Sequence, residues 1–218
     1  MRLLSVAKFL LVLALPFLLF LAVLNFIGFD NSFYQKEFSD YGVLKSIPQA
    51  DSLHEKVIDF IKGRISQPPN EFDEKEKQHL FDVRNVISAS TKLLYIFIIL
   101  FVLLLVISSF ILKVNSHIIN FIGKVLMFGG ILTITLAAIL LFLIASDFSS
   151  AFDFFHRLFF EKGTYIFDPA REMIVNLYPE QLFMDLGARI SKWVFIVSAI
   201  IVVVGVFLMM KTSGKRQK

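Results

Sequence analysis

Two of the four histidines in the chain lie in surroundings suited to proton transfer. Glu76 precedes His79 by three residues and Asp82 follows it by three, so on a helix either carboxylate can reach the imidazole. His156 lies in the stretch SAFDFFHRLFFEKGTYIFDP, where five phenylalanines are within four residues of it: Phe152, Phe154, Phe155, Phe159 and Phe160. An apolar surrounding lowers a histidine pKa and keeps the ring a neutral base. Both side chains are therefore candidates for acid–base catalysis, although spacing alone also fits two hydrogen-bonded interface residues.

The other candidate chemistry is weaker. We expect His54 to lie on the surface of a polar helix and His117 to face solvent or lipid headgroups. No H-E-x-x-H or G-x-S-x-G motif is present, so the usual signatures of a zinc protease and a serine hydrolase are missing. The chain has no cysteine, which excludes a thiol nucleophile, a disulfide and lipidation of the chain itself.

The composition is that of a membrane protein. Hydrophobic residues make up 56% of the 218 residues, and charged residues only 18%. Four apolar runs are long enough to span a bilayer, which takes about 20 residues, and none has a charge in its central stretch. We therefore predict an all-α integral membrane protein with four transmembrane helices and a small helical extracellular domain built from two long outer loops.

The distribution of charge predicts the orientation. All 18 acidic residues fall in the two long loops, whereas the N-terminus, the short middle loop and the tail KTSGKRQK carry only basic charges. The positive-inside rule places those basic segments in the cytoplasm, so both termini are inside. The tail is read as a membrane anchor beside anionic lipid, and nothing points to nucleic acid.

The predicted organisation follows from these spans and charges. From the N-terminus it reads: transmembrane helix 1 (1–29), an extracellular loop with amphipathic helices (30–92), transmembrane helix 2 (93–112), a cytoplasmic loop (113–124), transmembrane helix 3 (125–145), a second extracellular loop (146–192), transmembrane helix 4 (193–210) and a cytoplasmic basic tail (211–218).

Local signals divide the outer loops further. Residues 51–63 have helical spacing, with Asp51 or Ser52 as the cap and Gly63 at the end. After the breaker SQPPN, Asn70 is predicted to cap a second helix that continues into the second span. FDFFHRLFF has no clean one-sided pattern and is read as an interfacial segment. The residues TYIF are read as a short strand or a turn, and Pro179 interrupts a later helical segment.

Two ordered motifs resemble those of the lipoprotein intramolecular transacylase family of Gram-positive bacteria. The first is E-x-x-H-x-x-D-V at residues 76–83. The second is F-H-x-x-F-F-x-x-G-x-[WY]-x-F-D-P at residues 155–169, followed by L-Y-P-E-x-x-F-x-D at 177–185. The resemblance covers nearly the whole chain. The departure is Tyr165, where a tryptophan is expected to be common.

The resemblance implies a membrane acyltransferase without a cofactor. Its substrate would be a lipoprotein whose first residue is an S-diacylglyceryl cysteine with a free α-amine. The sn-2 acyl chain would move from the glyceryl oxygen to that nitrogen and give a lyso-form lipoprotein. The family's two histidines map to His79 and His156. We expect a monomer in the cell membrane, in contact with lipid and with its active site facing the outer leaflet.

The resemblance also suggests roles for single residues. His79 is expected to be the base, oriented by Asp82 or Glu76, with His156 polarising the carbonyl or protonating the leaving oxygen. The reverse assignment and a transient acyl-histidine both stay open. Three further side chains are candidates for oxyanion or headgroup contacts, with plain structural roles as the alternative: Arg84, Arg157 and Tyr165.

Two other function classes compete with this one. A metal-dependent membrane hydrolase would use both candidate histidines with outer carboxylates and would be sensitive to chelators. A non-catalytic membrane partner would use the outer loops to bind another protein and leave lipoprotein acylation unchanged. Transport is disfavoured because no charged residue lies in the central stretch of a span to mark a pathway.

Overall fold

The computed structural model describes residues 2–161 and 163–213, and every regular element among them is an α-helix. In chain order these are α1 (Arg2–Ile27), α2 (Asn31–Asp40), α3 (Val43–Ser46), α4 (Ala50–Ile61), α5 (Glu74–Leu112), α6 (Asn115–Ser146), α7 (Phe148–Phe159), α8 (Ile174–Leu177) and α9 (Glu180–Ser213). Helices α1, α5, α6 and α9 are long and apolar enough to cross a membrane. The predicted all-α class with four such helices is confirmed.

Three of the four long helices extend well beyond the predicted spans. Helix α5 joins the amphipathic segment and the second apolar run into one helix of 39 residues, as the sequence indicated. Helix α6 begins at Asn115, so residues 115–124 of the segment predicted as a cytoplasmic loop are helical. Helix α9 likewise begins 13 residues before the predicted span at 193. Part of the predicted basic tail, from residue 214 on, lies outside the described residues.

The chain forms two compact units. One contains the described residues up to Asn25, Lys92–Phe142 and the described residues from Arg189 on. The other contains Phe26–Thr91 and Leu143–Ala188. We call them the helical unit and the loop unit. Each is assembled from segments distant in sequence, so neither is a separable stretch of chain.

Close helix contacts in the helical unit depend on glycine. A Cβ atom at Gly205 would come within 2.8 Å of the Gly123 carbonyl oxygen, and one at Gly129 within 2.7 Å of Leu15 Cδ2. Small residues let helix backbones approach in lipid, where packing replaces the hydrophobic effect as the main attraction. Many large apolar side chains on the outer faces of these helices stay exposed, as a lipid-facing surface requires.

The core of the loop unit collects apolar residues from α2, α3, α4, the start of α5, α8 and the start of α9. Its buried members are Phe33, Tyr34, Phe38, Val43, Ile47, Ala50, Leu53, Val57, Phe60, Phe72, Leu80, Ile174, Leu177 and Leu182. Leu53, Val57 and Phe60 are buried on one face of α4, which agrees with the helical spacing of residues 51–63. Gly63 follows the helix end with a φ of 74°, a conformation that favours glycine.

Both predicted helix caps are wrong. Helix α4 is preceded by Gln49, whose side chain makes no capping bond, so neither Asp51 nor Ser52 is its cap. Helix α5 starts after Asp73, whose Oδ1 accepts the Glu76 amide at 2.8 Å. The Glu76 carboxylate returns to the Asp73 amide at 2.7 Å, so the two residues form a capping box and Asn70 is not the cap.

The phenylalanine-rich segment also differs from the prediction. Residues 148–159 form helix α7, capped by Asp147, whose Oδ1 accepts the Ser150 amide at 3.0 Å. At 100° per residue its apolar and polar side chains separate into two faces, so the predicted lack of a one-sided pattern is wrong. The strand alternative for TYIF is wrong too, because the described residues contain no strand. The predicted break at Pro179 is confirmed, since α9 begins one residue later.

Candidate active site

His79 lies on α5, about one turn after the capping box that starts the helix. Its side chain is buried in the loop unit and is 7% exposed. The imidazole contacts Phe160 and Phe167, with ring centroids 4.9 and 5.3 Å away. The helix therefore presents this histidine to aromatic side chains from the segment that follows α7.

His156 lies in the last turn of α7 and is partly buried. Its ring contacts Phe152 at 4.2 Å and Tyr165 at 5.1 Å between centroids. Nδ1 lies 2.8 Å from the carbonyl oxygen of Phe152. A carbonyl only accepts hydrogen bonds, so Nδ1 carries the hydrogen in this bond. In the neutral ring, Nε2 then holds the lone pair that can take a proton.

The two imidazoles lie together. Their ring centroids are 6.2 Å apart and their planes differ by 22°, a stacked arrangement. They come from α5 and α7, which are far apart in sequence and meet within the loop unit. Phe160 contacts both rings, at 4.9 Å from His79 and 5.3 Å from His156. The two titratable imidazoles therefore lie within one group of aromatic side chains.

Burial keeps both rings neutral. It lowers the pKa of His79 to about 4, and the neighbouring His156 adds to the effect when charged. Burial also lowers the pKa of His156, while the Phe152 carbonyl, Asp153 and Glu180 oppose part of that change. His79 lies in the loop-unit part of α5, before the apolar run that begins at residue 93. At neutral pH both imidazoles are therefore uncharged.

Nδ1 of His79 is buried, and within the described residues it has no hydrogen-bond partner. A buried N–H without a partner is rarer than an unpaired acceptor. The ring thus favours the form with its hydrogen on Nε2, where it can be donated to a substrate oxygen. The pair is complementary: His156 offers a lone pair at Nε2 and His79 offers an N–H.

The predicted orienting carboxylates do not bond this ring in the described part of the chain. Both oxygens of Glu76 accept backbone amides, one from Asp73 at 2.7 Å and the other from Ile174 at 2.7 Å. Asp82 accepts instead from Gln78, with 3.4 Å between Nε2 and Oδ1. The orienting role predicted for these two residues is corrected accordingly: Glu76 holds the helix start and the approach to α8.

Arg84 lies away from the ring pair. Its guanidinium is 5.0 Å from the Phe60 ring centroid and donates to the Ile65 carbonyl at 3.4 Å. These contacts stabilise the turn after α4.

The other two predicted residues are nearer to the site. Arg157 pairs with Asp153 along the exposed side of α7. Tyr165 packs its ring on His156, with the ring centroids 5.1 Å apart.

The other histidines occupy different places. His117 is exposed near the start of α6, as predicted. His54 is buried, so its predicted surface position is wrong. Its Nδ1 lies 2.9 Å from the Tyr178 hydroxyl, and its ring stacks on Tyr34 at 4.0 Å. Burial lowers the pKa of His54 to about 4. This histidine is part of the loop-unit core.

Sequence reasoning placed phenylalanines around His156 but missed that Phe160 and Phe167 also contact His79, and it missed the charged residues beside the site. Phe160 and Phe167 are both part of the second motif, so the motif was the sequence signal that could have identified them as site residues. Lys75 and Glu172 form an ion pair beside the site, with 2.9 Å between Nζ and Oε1. These two residues are far apart in the sequence, so their contact could not be predicted from spacing along the chain. The described residues contain no group of three or more His, Cys, Asp or Glu arranged to hold a metal ion.

Comparison with known proteins identifies the chain. The family model of the lipoprotein intramolecular transacylase Lit matches residues 9–183. The chain belongs to the lipoprotein intramolecular transacylase family. It is therefore a membrane transacylase, and its four apolar helices make it a multi-pass membrane protein. No curated protein sequence matches the chain significantly.

Solved structures support the same fold. The structure of the membrane integral lipoprotein intramolecular transacylase Lit from Bacillus cereus is similar, with a TM-score of 0.84 and 20% identity, over 100% of this chain and 99% of that one. Two variants of that protein, with a histidine replaced by arginine or alanine, have TM-scores of 0.80 and 0.79 at 18% and 19% identity. They cover 98% and 100% of this chain, and 95% and 97% of theirs.

Proposed function

We propose that this transacylase moves the sn-2 acyl chain of a diacylglyceryl-cysteine lipoprotein to the cysteine α-amine and releases a lyso-form lipoprotein. The observation that carries the proposal is the stacked pair of His79 and His156, whose ring centroids are 6.2 Å apart. The first motif supplies one histidine of this pair and the second motif supplies the other.

His156 acts as the base in this proposal. Its fixed hydrogen on Nδ1 leaves Nε2 to take the proton of the attacking amine. The new bond joins the amine nitrogen to the acyl carbon and gives a tetrahedral oxyanion. The ester C–O bond then breaks, and the proton passes from His156 to the departing glyceryl oxygen. No external proton source or cofactor is required.

His79 stabilises the oxyanion in this proposal. A neutral ring with its hydrogen on Nε2 can donate to the oxygen where negative charge develops, and aromatic surroundings strengthen that interaction by excluding water. Its lowered pKa makes His79 a poor proton acceptor, which favours this division of roles over the reverse. Amine and ester belong to one substrate molecule, so correct orientation supplies much of the rate.

The environment of the reaction is proposed from charge and composition. Both long loops face the outer side, the termini lie in the cytoplasm, and the histidine pair acts at the outer leaflet. The substrate is held by its lipid chains beside the apolar face of α7, and the protein works as a monomer in contact with membrane lipid. It has no nucleic-acid partner.

The reaction is tested with a synthetic diacylglyceryl lipopeptide whose sn-2 chain alone is isotopically labelled. After incubation with the purified protein in lipid, mass spectrometry is expected to find the label as an amide on the cysteine nitrogen. Label recovered as free fatty acid would support a hydrolase instead, and loss of activity in chelator would favour the metal-dependent class. An N-acyl product without label would contradict the assignment of the sn-2 chain.

A further inference from the structure

Lys75 lies in the first turn of α5, about one helical turn before His79. Its ammonium donates to the Ile166 carbonyl at 2.6 Å and to Glu172 Oε1 at 2.9 Å. The same group lies 4.9 Å from the Phe167 ring centroid. One side chain of α5 thus binds three residues of the connection between α7 and α8.

Glu172 is buried at 8% exposure, and its second oxygen accepts the Asp168 amide. The hydrogen bond from Lys75 lowers the pKa of Glu172, which keeps the carboxylate charged. A charge-assisted bond to a buried carboxylate is stronger than one between neutral groups. Loss of the lysine would leave that carboxylate buried without its cation.

The connection held in this way contacts both imidazoles. Tyr165 packs on His156 at 5.1 Å, and Phe167 meets His79 edge-on at 5.3 Å. The far end of the connection is bonded by the residue next to Lys75, since Glu76 accepts the Ile174 amide at 2.7 Å. Two consecutive residues of α5 therefore fix both ends of the segment that packs on the two rings.

We propose that Lys75 is a positioning residue for the acyl transfer: by binding Glu172 and the Ile166 carbonyl it holds Tyr165 and Phe167 against the two histidines. Lys75 makes no contact with the imidazoles among the described residues, so it acts through the segment rather than on the substrate. This inference rests on the function proposed above.

The test compares Lys75→Met with Lys77→Met. Lys77 lies in the same part of α5 and, within the described part of the chain, pairs with exposed Glu74 at 2.8 Å, so it is a matched control. Displacement of a packed segment by about 1 Å can cost up to about 100-fold in rate. We expect Lys75→Met to lower kcat about ten-fold or more and to change KM by less than about two-fold. Lys77→Met is expected to leave both unchanged.

Hydrogen exchange gives a readout independent of activity. In Lys75→Met, amides of residues 166–174 are expected to exchange faster than in the unmodified protein, and in Lys77→Met they are not. Lys75→Arg keeps the charge and the donors and is expected to restore most of kcat. Glu172→Gln, which keeps the shape of the side chain, serves as the second variant and is expected to reproduce the loss of kcat.

Each contrary result overturns the inference. These are a Lys75→Met protein with full kcat, a loss of kcat without faster exchange in residues 166–174, or an Arg variant as impaired as the Met variant. The failure of the proposed function looks different, because an unmodified enzyme that moves no labelled acyl chain rejects acyl transfer itself. A normal unmodified enzyme beside a fully active Lys75→Met rejects only the positioning role.

Discussion

The proton position on His156 decides which imidazole serves as the base. Its Nδ1 is committed to the Phe152 carbonyl at 2.8 Å, so the proposed base is Nε2 of this ring rather than His79. The sequence favoured the opposite assignment because Glu76 and Asp82 flank His79 at helical spacing. Glu76 does lie about one helical turn before His79. Its carboxylate, however, accepts the Asp73 amide in the helix cap and the Ile174 amide. The competition between backbone amides and an imidazole for one carboxylate cannot be read from spacing.

The lowered pKa values predict an unusual pH profile. Because the pKa of His79 lies at about 4 and that of His156 is also below its usual value, the neutral rings persist as pH falls through about 6.5. Activity lost to histidine protonation should therefore appear only at lower pH. Ionisation of the substrate amine, with a pKa of about 7.7–8.0, gives a slope of at most about one in log rate against pH.

Single-turnover rates measured from pH 8 to about 5.5 test this profile. The expected slope of log rate does not exceed about one down to about pH 6.5, and any further slope is expected to begin below the usual histidine pKa. A second unit of slope that begins near pH 6.5 would mean that an ordinary, solvated histidine controls the reaction. The same substrate with its amine acetylated provides the blank for uncatalysed ester loss.

At the scale of the helices, the sequence identified the long elements and misjudged the connections. The run from residue 74 into the second span was predictable, because amphipathic spacing passes directly into an apolar stretch. The segment from residue 170 also has helical spacing, but α8 has only four residues. Lys75 and Glu172 hold the preceding residues in loop conformation, and a contact between distant residues overrides local preference. His54 is a second example of a distant contact that the sequence does not reveal. It follows Leu53 on α4, and Tyr34 and Tyr178 from other parts of the chain contact its ring.

The proposed orientation predicts on which side of the membrane each helix end lies. The chain has no cysteine, so single cysteines are clean reporters. Glu161→Cys, in the exposed connection after α7, should react with a membrane-impermeant maleimide on intact cells. Asn115→Cys, exposed at the start of α6, should react only after lysis. The reverse labelling pattern would invert the proposed orientation and put the histidine pair inside.

For the whole molecule, the fold class followed from composition, and the candidate histidine pair followed from motif resemblance. Four apolar runs without a charge in their central stretches left few alternatives to a membrane protein with four transmembrane helices, and this expectation is confirmed. The meeting of α5 and α7 could not be derived from either segment alone, since it depends on aromatic contacts such as that of Phe160 with both rings. The two motifs pointed to His79 and His156, and the packing of the loop unit brings these two rings together.

The most direct measurement of the central proposal is the rate of labelled sn-2 acyl transfer by His79→Ala, His156→Ala and the double variant, with His117→Ala as the exposed control. If the two rings act on one substrate, each single variant should lose about 100-fold or more, and the double variant little beyond that, because residues acting as a unit are not additive. His117→Ala should retain full rate. Normal transfer by either His79→Ala or His156→Ala would contradict the account.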